Sequence, residues 1–129
     1  MGIFDNLFGK KEQTQREEKQ IPWIPLVDMA QLDEVAEKSK TRTQLIFKHS
    51  TTCGISRMVL NMFTESYNLN EEKDIYFLDL HAHRDVSNAV ASKFQVMHQS
   101  PQLLIVKNGE VSFHTSHGAI SDINLQEYV

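Results

Sequence analysis

The sequence contains a single cysteine, Cys53, and its position predicts a reactive thiol. It follows a segment typical of a buried strand, residues 44–49, and comes just before a segment with helical hydrophobic spacing that begins at Ile55. At the start of a helix, unpaired backbone N–H groups and the positive end of the helix dipole stabilise a thiolate. Because the thiolate is the form that attacks disulfide bonds, Cys53 is predicted to carry out thiol–disulfide chemistry.

The neighbours of Cys53 fit a reactive site better than an inert core position. Gly54 leaves the approach clear for a second sulfur atom, and the Ser56 hydroxyl, at the last position of a C-x-x-S pattern, is placed to donate a hydrogen bond to the thiolate. Positive charge nearby comes from three side chains: Lys48, His49 and Arg57. Free cysteines are often inert core residues, but the polar character of residues 50–53 disfavours that alternative.

Length, composition and net charge are those of an ordinary small globular protein and are compatible with this chemistry. The chain has 129 residues, a length that suits one α/β domain, and 40% of them are hydrophobic. Its formal net charge of −4 gives no reason to expect a nucleic-acid partner. A lone cysteine without a signal peptide fits a reducing cytoplasm, and no apolar run approaches the ~20 residues that span a bilayer.

The first 20 residues differ from the rest of the chain. Four apolar side chains at helical spacing form a hydrophobic tip: Ile3, Phe4, Leu7 and Phe8. A polar linker follows at residues 10–20. We expect a short docked or disordered turn rather than a membrane anchor, because residues 1–9 are too few for an interfacial helix. Asn6 also stands where a myristoylation pattern requires Ser or Thr. The folded domain is predicted to span residues 21–129.

Alternating periodicities predict the element order β-α-β-α-β-α-β-β-α for that domain. The strands are expected near residues 23–27, 44–49, 75–80, 103–106 and 111–113, and the helices near 28–36, 55–63, 86–94 and 120–128. Strands connected through helices are expected to be largely parallel, and Asn108–Gly109 predicts a hairpin that adds an antiparallel edge. Asp28 and Gln31 form a capping-box pattern, and Ser121 is a candidate cap of the closing helix.

The helix that follows Cys53 is predicted to be amphipathic. Its apolar side chains recur at helical spacing, and we expect Met58, Met62 and Phe63 to lie in the core. A carboxylate on the third strand, Asp79, could assist proton transfer from the thiol or could equally point outward at the strand end.

Histidines offer a weaker signal. His81 and His83 form an H-x-H pattern that can bind metal on one strand face, and His114 and His117 flank the turn before Gly118. No nearby cysteine or carboxylate completes a ligand set, so we predict surface or hydrogen-bonded histidines and no metal site. His49, four residues before the thiol, is the one histidine we connect to the chemistry, as a group that tunes the thiolate charge.

The order of elements, Cys53 before the second helix and Pro101 before the next strand together resemble the thioredoxin fold over residues 21–129. The run 106–111 and the Gly118–Ala119 pair before the last element are similar to the closing segment of thioredoxin. The resemblance implies an α/β fold with a mixed central sheet flanked by helices. It also implies a cis Ser100–Pro101 bond facing the cysteine and a role for Ser100, Pro101 and Gly118 in docking the substrate.

The motif itself departs from thioredoxin, because Ser56 replaces the second cysteine and cannot resolve a mixed disulfide. The run 48–56 resembles the monothiol bacilliredoxins (YtxJ-like proteins), whose motif is usually T-C-P-I-S, with Gly54 here in place of Pro. This resemblance implies no tightly bound cofactor and work on mixed disulfides of bacillithiol, a thiol that carries malate carboxylates. Thr52, Gly54 and Ile55 would then line the thiol-binding site, with Lys48 and Arg57 as partners for the carboxylates.

The resemblance implies a two-step exchange with three kinds of partner: bacillithiolated client proteins, bacillithiol and a separate reductase system. Cys53 would remove bacillithiol from the client as a mixed disulfide, and an external thiol or reductase would then regenerate it. A second reading is a glutaredoxin-like protein that shares a [2Fe–2S] cluster between subunits. It is weakened because this chain has Gly118–Ala119 where glutaredoxins have a Gly–Gly pair. A third reading is a thioredoxin-like adaptor without catalysis.

Overall fold

The computed structural model describes residues 21–129, so the predictions for residues 1–20 and for the domain boundary lie outside it. Within these residues five strands and three α-helices alternate much as predicted. The strands are β1 (Trp23–Pro25), β2 (Gln44–His49), β3 (Asp74–Asp79), β4 (Gln102–Lys107) and β5 (Glu110–Ser116). The helices are α1 (Ala30–Lys38), α2 (Gly54–Ser66) and α3 (Arg84–Phe94). The predicted capping box is confirmed, because the backbone N–H groups of Asp28 and Gln31 each donate to the other side chain at 3.1 Å.

The strands form one mixed sheet in the order β1-β3-β2-β4-β5. As expected of strands connected through helices, β1 and β2 both pair with β3 in parallel, and the Asn108–Gly109 turn joins β4 and β5 as an antiparallel hairpin. The pairing of β4 with β2 is also antiparallel, although a helix precedes β4. Since β4 starts opposite the end of β2, the segment 95–101 must return the chain to the edge of the sheet at which β3 ended.

Two apolar layers cover the two faces of the sheet. On one face α1 and α3 pack over a cluster that includes Ile46, Leu78 and Leu104. On the other face α2 packs over Phe47 and Ile105 through its own Phe63. Within residues 21–129, no helix has the length and apolar character needed to cross a membrane.

The predicted core stripe of α2 is only partly correct. Phe63 is buried, but Met58 and Met62 are about half exposed, at 55% and 46%. The helix buries a narrow stripe against the sheet, chiefly Val59 and Phe63, and the two methionines lie beside that stripe. Apolar spacing indicated an amphipathic helix, but the width of the buried stripe depends on the neighbouring layer.

The predicted closing helix is wrong. In its place the chain forms two short 3₁₀ turns, His117–Ser121 and Leu125–Glu127. The side chains of Ile120 and Leu125, one from each turn, are buried in the α2-side cluster. The intervening Asp122 and Asn124 have low helix propensity, which favours two separate turns over one continuous helix.

Candidate active site

Cys53 lies at the sheet edge where several elements meet. The parallel strands β2 and β3 both end there, with His49 opposite Asp79, and β4 starts there, with Gln102 opposite Lys48. Cys53 occupies the N-cap position of α2 with an extended backbone and is partly exposed. Its backbone N–H donates to the Ser50 carbonyl at 3.3 Å, so the loop after β2 holds the thiol directly over the helix start.

Ser56 is fully buried, and its hydroxyl contacts the residues at the end of β2 and in the loop that follows it. Its Oγ accepts the backbone N–H of Ser50 at 3.1 Å and lies 3.0 Å from Nδ1 of His49. Among residues 21–129, the Cys53 side chain makes no hydrogen bond in this state. A Ser56 hydrogen bond to the thiolate therefore stays a prediction, while its structural contacts with the Cys53 loop are direct.

The Ser56→Ala variant is expected to lose about 1 to 3 kcal/mol of unfolding free energy. The change leaves the buried Ser50 N–H and the buried His49 ring without this partner. Denaturant unfolding followed by circular dichroism measures the loss. Ser66→Ala, at an exposed residue at the end of the same helix, is the matched control. Its hydroxyl donates only to the Phe63 carbonyl, at 3.3 Å, so the change should alter stability by less than about 0.5 kcal/mol. Equal effects of the two substitutions would contradict the structural role assigned to the Ser56 hydroxyl.

His49 is buried beside the thiol loop and packs against Phe77, with 5.4 Å between ring centroids. Burial lowers the pKa of His49, the Asp79 carboxylate opposes that shift, and the Arg57 guanidinium adds to it. A lowered pKa favours the neutral imidazole at neutral pH, so the ring contributes a hydrogen bond to Ser56 rather than a fixed charge. Asp79 itself accepts the backbone N–H groups of His81 and Ala82 and so shapes the turn after β3.

His81 is the site residue for which sequence reasoning gave no specific role. Its Nε2 lies 2.7 Å from Ser50 Oγ and 3.1 Å from Thr52 Oγ1, the residue directly before the thiol. The H-x-H pattern suggested only metal binding, and no group of three or more potential metal ligands occurs within the part of the chain that is described. The position of His81, just beyond a strand parallel to β2, is the signal that could have identified it.

The prediction that Lys48 binds the carboxylates of the thiol is wrong, because its side chain is not accessible to an anion in solution. Its side chain is fully buried on the α1–α3 face, with Nζ 3.2 Å from the Ser87 carbonyl and 3.2 Å from His98 Nδ1. This burial lowers the Lys48 pKa to about 8. Arg57, in contrast, is exposed in the first turn of α2.

The predicted docking residues meet at the same edge. The Ser100–Pro101 bond is cis, and the carbonyl of Pro101 accepts the His117 N–H at 3.0 Å. This bond ties the turn that contains Gly118 to the start of β4, and α2 packs against that turn. Gly54 and Gly118 both border open space, since a Cβ atom at either would meet nothing within 4 Å. Thr52 and Ile55 are exposed beside the thiol.

Comparisons with known proteins agree with this arrangement. A family model described as "Monothiol bacilliredoxin BrxC" matches residues 24–125. A solved structure described as having a thioredoxin fold and as a proposed oxidoreductase is 31% identical, with a TM-score of 0.69 over 81% of this chain and 91% of that one. Thioredoxin O2 from Arabidopsis thaliana is 19% identical, with a TM-score of 0.64 over 83% and 95% of the two chains. A Malassezia sympodialis thioredoxin is 17% identical, with a TM-score of 0.61 over 80% and 84%. The fold is thioredoxin-like.

Proposed function

Because the chain belongs to the monothiol bacilliredoxin family, we propose that it removes bacillithiol from S-bacillithiolated proteins in the cytoplasm. The observation that carries this proposal is the single thiol of the sequence, Cys53, partly exposed at the N-cap of α2. An exposed thiol at a helix start is suited to nucleophilic attack on a disulfide. The absence of a second cysteine in the sequence makes each turnover depend on an external thiol.

The first step is a thiolate–disulfide exchange. The Cys53 thiolate attacks the bacillithiol sulfur of the client's mixed disulfide, a new bond forms between Cys53 and bacillithiol, and the old disulfide bond breaks. The client cysteine leaves as a thiolate and takes up a proton from solvent. The open space at Gly54 and Gly118 leaves room for the second sulfur and its attached groups.

The second step restores Cys53 with a reducing partner. A second bacillithiol thiolate attacks the bacillithiol sulfur bound to Cys53, forms bacillithiol disulfide and releases the Cys53 thiolate. A separate reductase system then returns that disulfide to two thiols. The substrate-facing positions assigned to this exchange are Thr52, Gly54, Ile55, Ser100, Pro101 and Gly118, with Arg57 as a partner for carboxylates.

Intact-mass spectrometry of the full chain tests the proposal. Reduced protein is mixed with a bacillithiolated client peptide, and we expect one bacillithiol adduct per chain together with an equal amount of free client thiol. Peptide mapping should place the adduct on Cys53. A client peptide joined to the protein, without a bacillithiol adduct, would mean attack on the other sulfur and would overturn the proposed direction. An unmodified protein would overturn the activity itself.

A further inference from the structure

The arginines of the described residues fall into two groups. Arg42 lies at the opposite edge of the sheet, where its Nε is 3.0 Å from the Asp74 carboxylate. Arg57 and Arg84 are exposed, and no carboxylate of residues 21–129 lies within 4 Å of either guanidinium. Among the described residues, these two guanidinium groups thus have no carboxylate partner and are available to an anion in solution.

Both of these arginines lie at the edge that carries the thiol. Arg57 is in the first turn of α2, and Arg84 is the first residue of α3. These helices follow β2 and β3, which are parallel neighbours, so both helices begin at the same end of the sheet. The loop that carries Cys53 lies at this end as well.

His81 connects Arg84 to that loop. One guanidinium nitrogen of Arg84 lies 3.5 Å from Nδ1 of His81, and Nε2 of the same ring contacts the hydroxyls of Ser50 and Thr52. Since a guanidinium can only donate, Nδ1 accepts and Nε2 carries the proton. His81 then donates to the hydroxyls of Ser50 and Thr52, which also lie 3.3 Å from each other, so the ring ties Arg84 to the loop that carries Cys53.

We propose that Arg84, oriented by His81, binds a carboxylate of the low-molecular-weight thiol when that thiol is joined to Cys53 or to the client. This inference rests on the proposed function and deepens it by assigning a specificity residue. Arginine is suited to the role because its planar fork donates two parallel hydrogen bonds to one carboxylate. Arg57 would serve a second carboxylate of the same ligand, which Lys48 cannot do because it is buried on the α1–α3 face. His81 is a positioning residue in this scheme.

Kinetics with two substrates test the proposal. One client peptide is prepared as a mixed disulfide with bacillithiol and, separately, with the uncharged thiol 2-mercaptoethanol. We expect Arg84→Gln to raise KM about fivefold for the bacillithiol substrate and to leave the 2-mercaptoethanol substrate unchanged. Arg84→Lys, which keeps the charge, should recover at least half of the lost affinity. Lys38→Gln, the same charge change at an exposed position at the end of α1, is the matched control and should behave like the wild type.

The outcomes separate this inference from the proposed function. A wild-type chain that forms no bacillithiol adduct would refute the proposed function, whatever Arg84 does. A wild-type chain that forms the adduct, together with an Arg84→Gln variant that equals it on both substrates, would overturn the carboxylate site alone. An equal loss on both substrates would also overturn it, because the effect would then not depend on the carboxylates.

Discussion

The Cys53→Ser chain is expected to release bacillithiol from a client no faster than uncatalysed exchange, a loss of at least about a thousandfold. A serine hydroxyl is not ionised near neutral pH and cannot attack a disulfide sulfur as a thiolate does. The measurement is the initial rate of client thiol release at fixed substrate concentration. This is the largest change in activity that we expect from a single substitution.

The structure indicates that this variant will fold. Cys53 occupies an N-cap at which its side chain makes no capping hydrogen bond, and serine is a favoured N-cap residue. Its melting temperature should therefore equal or exceed that of the wild type, which separates lost chemistry from lost structure. Thr51→Ser, a conservative change at an exposed position in the same loop, is the control and should keep the wild-type rate. A Cys53→Ser chain that retains a tenth of the wild-type rate would show that another group is the nucleophile.

The reactive centre could be predicted from the sequence because its signals are local. A buried strand, a polar loop with one cysteine and an amphipathic helix follow each other directly, so the N-cap position of Cys53 needs no long-range information. The Asn108–Gly109 hairpin is equally local. The cis form of Ser100–Pro101 came from the family resemblance, and the structure agrees with it.

The surroundings of the thiol could not be predicted in the same way, because they depend on packing between distant segments. All six residues of β2 are buried, so no polar–apolar alternation marks which face each side chain takes. Lys48 therefore resembled an active-site cation in sequence. Its side chain lies on the α1–α3 face of the sheet, whereas α2, the helix that begins at the thiol, covers the other face. His81 contacts Thr52 across 29 positions of sequence, which only the parallel pairing of β2 and β3 brings about.

Burial of the Lys48 ammonium is expected to make stability depend on pH in the alkaline range. The side chain is fully buried, contacts one carbonyl and one imidazole, and has no carboxylate within 4 Å among residues 21–129. Burial lowers its pKa from 10.5 to about 8. Between these two values the unfolded chain binds more protons than the folded chain, so the contribution of Lys48 to stability rises with pH. Below pH 8 both states carry the charge, and its full cost is present.

Lys48→Met removes this titration while retaining a long, flexible apolar side chain. The stability of the variant relative to the wild type is therefore expected to fall by about 3 kcal/mol as the pH rises from 8 to 10.5. The difference between the two proteins is the quantity to measure, because Tyr76, whose pKa burial raises to about 12, acts in the opposite direction in both. Denaturant unfolding at half-unit pH steps gives the two curves. Lys38→Met, at an exposed helix end, is the control and should show no such slope.

A second observable reports on the same buried charge. Burial lowers the pKa of His98, and the charges of Lys48 and Arg84 lower it further. Removing the ammonium in Lys48→Met leaves the burial and the arginine but deletes the neighbouring positive charge 3.2 Å from Nδ1. The His98 pKa, followed by NMR, should therefore move upward in the variant. A stability difference that is constant from pH 8 to 10.5 would mean that burial does not lower the Lys48 pKa. An unmoved His98 titration would mean that the Lys48 charge does not act on that ring.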